Sequence, residues 1–437
     1  MIKDRLRILQ GLLHKAFPKG SIARDALTLM SGTTIAIIIP IAISPILTRL
    51  YTPEDFGVLA LYISIATVLS VLVNGRYEMA IMLPEKDEDA INIVALAFII
   101  SIVVSVVIFI VMLLFGREIA YMFKNPKILF WLYFLPISSL IMGIYQGLNY
   151  WANRKNLYKK LAINKIVKST GIAGSNLFIG ALIKGSTGLV GGQIIGESIS
   201  TIALANLVSH EDKNIVKLIK YERIKEQAFR YINFPKYLIF SHSLNVISGY
   251  LPVFLITPLF GIETVGQFSL TQKALSIPML VIARALGDVF RQRASADYVK
   301  NGNCKSIYLK TLKYLFFISV LPFFILFFIA PDLFTFIFGD TWREAGLYGR
   351  MITSMLFLQF VTSPLSFMFM IAEKQKLDII WQTITLLLSY TAIISGYYIF
   401  KSPAYSIGLY SVAYTIMYGV SGIMSFKFAC GNKKFLT

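Results

Sequence analysis

The first question this sequence raises is what charged side chains do inside apolar runs. Lys168, Lys273 and Arg284 each interrupt such a run, and Glu197 is the one carboxylate near the middle of another. A charge within a hydrocarbon layer is costly and is a functional candidate by default. Cations there suit an anionic group. Arg49, at the end of the first run, joins Lys168, Lys273 and Arg284 as a candidate for that role. A desolvated carboxylate holds its proton more tightly and can exchange it, which makes Glu197 a candidate ion carrier. His242 is a candidate proton site. Asp288 stands four residues after Arg284, either as its structural ion-pair partner or as a further coupling carboxylate. Lys168 alternatively snorkels to an interface, and Arg49 alternatively anchors one. In "GRYE", residues 75–78, Arg76 and Glu78 are a candidate gate pairing between two halves of the molecule, or an interfacial anchor with Tyr77.

The elements that must position these residues follow from composition. The chain of 437 residues is 56% hydrophobic and 15% charged, with a mean hydropathy of +0.68. Apolar runs of about twenty residues recur throughout, each able to cross a hydrocarbon core as a helix. The short alternating segments of a β-barrel are absent. The expected fold is an all-α polytopic membrane protein with about twelve spans. Most of the 42 basic residues fall in one set of loops, which places both termini in the cytoplasm. The net charge of +19 is therefore a topology signal rather than a nucleic-acid footprint. Cys304 and Cys430 are far apart and the three histidines are scattered, so neither a disulfide framework nor a metal site is expected. Residues 1–25 read as a basic amphipathic segment on the inner membrane surface.

Two lobes are expected: 26–208 and 237–427, joined by a basic cytoplasmic linker, 209–236, with a tail from 428 to 437. "YTPEDFG" (51–57) and "FGIETVG" (260–266) share an outline at an offset of 209, which pairs Glu54 with Glu263 and Gly57 with Gly266. Both lobes start from one side, so they form parallel repeats about an axis along the membrane normal. Glu54 and Asp55 do not read as an acid/base pair. Thr52 is placed to cap a helix, Pro53 to open it, and the acids to face its positive end. Gly188, Gly192 and Gly196 recur every four residues, which predicts close helix packing. Pro40, Pro45, Pro252, Pro258, Pro278 and Pro364 predict breaks or kinks.

"LTRLYTPEDFGVLALY", "GRYEMAIMLP", "WANRKNLYKK", "FPKYLIFSHSLNVISGYLPVFL", "QRASADY" and "GDTWREAG" together resemble the Wzx-type polysaccharide-biosynthesis flippases, across nearly the whole chain. The resemblance implies a two-lobed fold in the cytoplasmic membrane of a bacterium. It implies a polyprenyl-pyrophosphate-linked oligosaccharide as cargo, moved from the inner to the outer leaflet by alternating access. Coupling to H+ or Na+ and work alongside a polysaccharide polymerase and chain-length partners are implied with it. No cofactor is expected. Asn149, Trp151, Asn245, Gln272 and Gln359 are candidate saccharide contacts by residue type. Two other readings compete: a drug/cation antiporter of the same superfamily, which wants an acidic cavity, and a polyprenyl-dependent membrane glycosyltransferase or polymerase, which wants a large outer loop.

Overall fold

The computed structural model describes residues 22–431, without the side chains of residues 22–28, 30, 277, 278, 280, 281, 284 and 285. The amphipathic segment expected at 1–25 lies outside the described residues except for 22–25. Among the described residues, helix is the one regular secondary structure.

The first six-helix lobe begins with α1 (Ile22–Ala42) and α2 (Ser44–Leu50), one span broken at Ile43 between Pro40 and Pro45. It continues with α3 (Pro53–Val73), α4 (Asp87–Met122), the short α5 (Ile128–Leu132) and α6 (Leu135–Arg154). Helices α7 (Tyr158–Leu182) and α8 (Thr187–Glu211) close it. The linker carries α9 (Tyr221–Arg230). The second lobe has α10 (Ile239–Phe260), α11 (Ile262–Asn301), α12 (Lys305–Phe338) and α13 (Arg343–Thr362). A 3-10 turn holding Pro364 leads to the short α14 (Met368–Ile371), then α15 (Gln375–Phe400) and α16 (Pro403–Ala429).

Ten helices among the described residues are long and apolar enough to cross a membrane. Helix α7 falls outside that group, although its 25 residues extend about 37 Å; α11, with 40 residues, extends about 60 Å. Both carry charges within their length: Lys165 and Lys168 lower the apolarity of α7, and Lys273, Arg284 and Asp288 lie on α11. Large apolar side chains on α4 and α12, such as Val103, Leu114, Phe317 and Phe328, are exposed. That is the reverse of a water-soluble surface and fits a lipid-facing one.

The repeat is legible in the helix starts, since Pro53 and Ile262 stand at the expected offset. Thr52 caps α3 with a complete capping box: its side chain accepts from the Asp55 amide, and Asp55 accepts from the Thr52 amide. The second copy has no side-chain cap. It opens instead on Gly261 at φ 94°, a conformation that L side chains rarely adopt. The two copies then meet each other. A Cβ on Gly57 would overlap the carbonyl oxygen of Ile262, and one on Gly266 would overlap that of Pro53. The contact is reciprocal, as a two-fold axis requires. The predicted glycine face of α8 packs on α7 and its neighbours: Gly188 against Tyr51, Gly192 against Asn176, Gly196 against Ile172.

Candidate functional site

The chain has two ends along the membrane normal. The linker face holds residues 74–86, 155–157 and the linker, and the far face holds the α3 and α11 starts. At the far face the lobes are sealed together. Trp342, buried, donates from Nε1 to the Thr48 carbonyl at 3.1 Å, and its ring meets Phe56 edge-on at 4.9 Å. Leu61 and Leu270, equivalent by the repeat, are both wholly buried.

Lys273 follows Gly266 by seven residues on α11, two turns along the same stripe. It therefore lies on the interlobe face of α11, about 10 Å from the seam toward the linker face. The side chain is half-buried. Among the described residues neither a hydrogen bond nor an ion pair reaches it, which is the arrangement of a cation kept available. Gln272 beside it is also half-buried. The side chain of Arg284 lies outside the described residues. Asp288 is exposed and pairs at 3.8 Å with Arg291, a surface contact worth little.

A cavity of about 220 Å³ opens within the first lobe and brings Lys168 and Glu197 to one place. Their charges pair at 3.1 Å. Gln193, one turn before Glu197, donates to the same carboxylate oxygen at 2.9 Å. The Lys168 ammonium sits 5.1 Å from the Tyr145 ring centre. Next to this pocket Asn74 donates to the Gly143 carbonyl at 3.1 Å and to the Gln146 side chain at 3.4 Å. A cargo-binding role for Lys168 and an ion-carrying role for Glu197 were expected separately. They are partners, with compensated charge. Gln193 at i−4 of Glu197 was visible in "GGQIIGE"; Tyr145 and Thr201 carried no signal of their own.

The third cluster lies at the linker face. Arg76 and Glu78 pair with each other at 3.2 Å, within one lobe rather than between two. The residue across the lobes is His242, whose Nδ1 is 2.8 Å from the Arg76 guanidinium. Arg76 holds a left-handed backbone at φ 62°, so its placement is strained for a non-glycine residue. Burial pushes the Glu78 carboxyl above its ordinary range, against the lowering pull of Arg76. One Glu78 oxygen is buried with no hydrogen-bond partner among the described residues.

The linker is docked onto the first lobe. Arg223 contacts Glu88 at 2.6 Å and Asp89 at 3.4 Å. The Lys220 amide donates to Asn92 at 2.9 Å, and Tyr77 donates to the Ala228 carbonyl at 2.8 Å. Several basic residues counted as topology signals thus also pin loops: Arg154 and Lys155 both clasp Asp87.

The remaining candidates scatter. Arg49 is exposed at the far-face end of α2, which fits an anchor rather than a cavity cation. Trp151 is fully enclosed and donates to Asp212 at 3.1 Å, so it offers no ring face to a sugar. Asn149 accepts from Asn153 through its backbone carbonyl. Gln359 is half-buried among Phe360, Leu356 and Met279, where there is no room for a ligand. Asn245 lines a cavity of about 550 Å³ between α10 and α15. Among the described residues, no group of three or more His, Cys, Asp or Glu side chains is placed to hold a metal ion.

Known structures share this fold at low identity. The lipid II flippase MurJ in an inward closed conformation superposes with a TM-score of 0.73 at 14% identity, over 93% of this chain and 88% of that one. An inward-facing multidrug resistance MATE family transporter of the MOP superfamily gives 0.61 at 14%, over 97% and 99%. A MOP superfamily transporter from Pyrococcus furiosus, described as having a binding pocket of reverse polarity, gives 0.56 at 16%, over 93% and 94%. A comparison with curated proteins finds no match. The sequence model described as polysaccharide biosynthesis protein matches residues 46–346. That is more than half of this two-lobed helical chain, which therefore belongs to the polysaccharide biosynthesis protein family.

Proposed function

We propose that this protein flips a polyprenyl-pyrophosphate-linked oligosaccharide from the inner to the outer leaflet of the bacterial cytoplasmic membrane, for surface polysaccharide such as O-antigen or capsule. The observation that carries the reading is Lys273, a cation without a partner among the described residues, on the stripe where the two lobes meet. A pyrophosphate needs such a donor in a site of low dielectric. The linker face, with its concentration of basic residues, is the cytoplasmic side. In this state the far seam is shut, and Arg76 with His242 forms the contact across the cytoplasmic side. Both are formed here, and alternating access opens them in turn. The protein performs no covalent chemistry.

A drug/cation antiporter needs an anionic site facing its cargo. Glu197 supplies a carboxylate, but Lys168 already occupies it. That pair also bears on coupling, since a tethered ammonium stands where Na+ would sit. H+ is therefore the coupling ion we favour.

The test is reconstitution in vesicles with a labelled lipid-linked oligosaccharide. The native protein should carry the label across with its covalent structure unchanged. Lys273→Ala should lose about tenfold or more in rate, the effect of removing one charge-assisted contact, while reaching vesicles in native amounts. A lengthened product would identify an enzyme instead, and native rates from Lys273→Ala would remove the pyrophosphate role.

A further inference from the structure

The two lobes are built on one plan, yet one pair of equivalent helices packs differently in each. In the first lobe the first and fifth spans, α1 and α7, are in close contact. A Cβ on Gly32 would collide with Ala162, Lys165 donates to Thr33 at 2.9 Å, and Ser169 donates to the Ala36 carbonyl. In the second lobe the equivalent helices, α10 and α15, meet at their far-face ends, where the Phe260 and Tyr397 rings are 5.3 Å apart, and diverge toward the linker face. Asn245 reaches across to Gln382 at 3.3 Å, and the cavity of about 550 Å³ lies between the helices. His242 lines it and bonds to Arg76 of the other lobe, so the groove is continuous with the interlobe contact.

The wall chemistry selects an occupant. Ser241, Ser248 and Thr383 each donate their hydroxyl proton to a backbone carbonyl three or four residues earlier, of Leu238, Leu244 and Ile379. Their oxygens are left as acceptors. Gln382 donates to Asp378 at 2.8 Å, and its carbonyl oxygen already accepts from Asn245. The lining holds neither a carboxylate nor an ammonium. The donors left on the wall are the second amide hydrogens of Asn245 and Gln382 and the His242 ring, so it mixes acceptors with a few neutral donors, which suits hydroxyl groups, able to do both, better than an anion, which can only accept. Phe240, 70% exposed at the rim, adds an apolar face on which a sugar ring can stack.

We propose that the groove between α10 and α15 is a subsite for neutral sugar residues of the cargo, separate from the pyrophosphate position at Lys273. This rests on the flippase reading and divides its cargo into two parts recognised by different groups. The equivalent site in the first lobe is closed by packing, so the sugar is held by the second lobe alone.

The triple variant Ser241→Ala/Ser248→Ala/Thr383→Val removes three acceptors with little change in volume. It should slow flipping of the lipid-linked oligosaccharide about tenfold, as expected for losing a few net hydrogen bonds. It should bind bare undecaprenyl diphosphate like the native protein. A second measurement needs no flipping at all. In Thr383→Cys, thiol labelling at position 383, read by mass spectrometry, should be blocked by the glycan-bearing lipid and not by undecaprenyl diphosphate. Equal protection by both lipids, by neither, or a triple variant with native rates overturns the subsite while leaving the flippase reading intact. A native protein that moves no lipid-linked oligosaccharide, while position 383 is still protected by it, counts against the flippase reading and keeps the groove as a sugar site.

Discussion

Charge compensation separates the intramembrane residues. Lys168 and Glu197 share a pocket and pair at 3.1 Å, with side chains 30% and 10% exposed. Removing one partner leaves the other uncompensated, whereas removing both does not. Lys168→Met alone or Glu197→Gln alone should therefore destabilise the protein by roughly 2 kcal/mol, below the fully buried figure because Lys168 is partly exposed. The double variant should recover most of that. Thermal unfolding in detergent measures it, and additive losses in the double variant would show that the pair is not coupled. Each cation was legible in the sequence as an exception to apolarity. Its partner was not, because Lys168 and Glu197 lie on different helices whose register is set by the α8 glycine face. Trp151 failed as a saccharide contact for a related reason: residue type says nothing about which way a ring faces.

Among the elements, α3 and α11 carry the most information. Their starts were readable from "YTPEDFG" and its echo, since local rules for caps and helix openings need only neighbouring residues. That the two copies touch was not readable. Gly57 and Gly266 each leave room for a carbonyl oxygen of the other copy. Gly57→Ala and Gly266→Ala should both force the far seam apart, each at a cost of about 1–3 kcal/mol of overpacking. Because the contact is reciprocal, the two variants should behave alike. Quenching of Trp342 fluorescence by acrylamide, with Trp131, Trp151 and Trp381 replaced, reports the seam. Unchanged quenching in both variants would mean that the seam relaxes elsewhere.

At the scale of the whole molecule, the lobes touch at both faces. The far seam is made by packing, and the linker-face contact by Arg76 and His242. If transport alternates between them, holding the linker face shut should stop it. In Arg76→Cys/His242→Cys, a short bifunctional thiosulfonate, which joins the two thiols through disulfides with loss of sulfinate, should abolish flipping, and reductive cleavage should restore the rate of the uncross-linked variant. Flipping that continues through the cross-link would exclude this contact as a gate. The sequence by itself determined the class, the approximate spans, the repeat and the inventory of charges, because these follow from hydropathy, helix-end chemistry and counting. Only the tertiary structure decided which charges are compensated, where the copies meet and which equivalent helices part to leave a groove. Those outcomes depend on the register between helices distant in sequence, and register is fixed by side-chain packing across the molecule rather than by any local stretch.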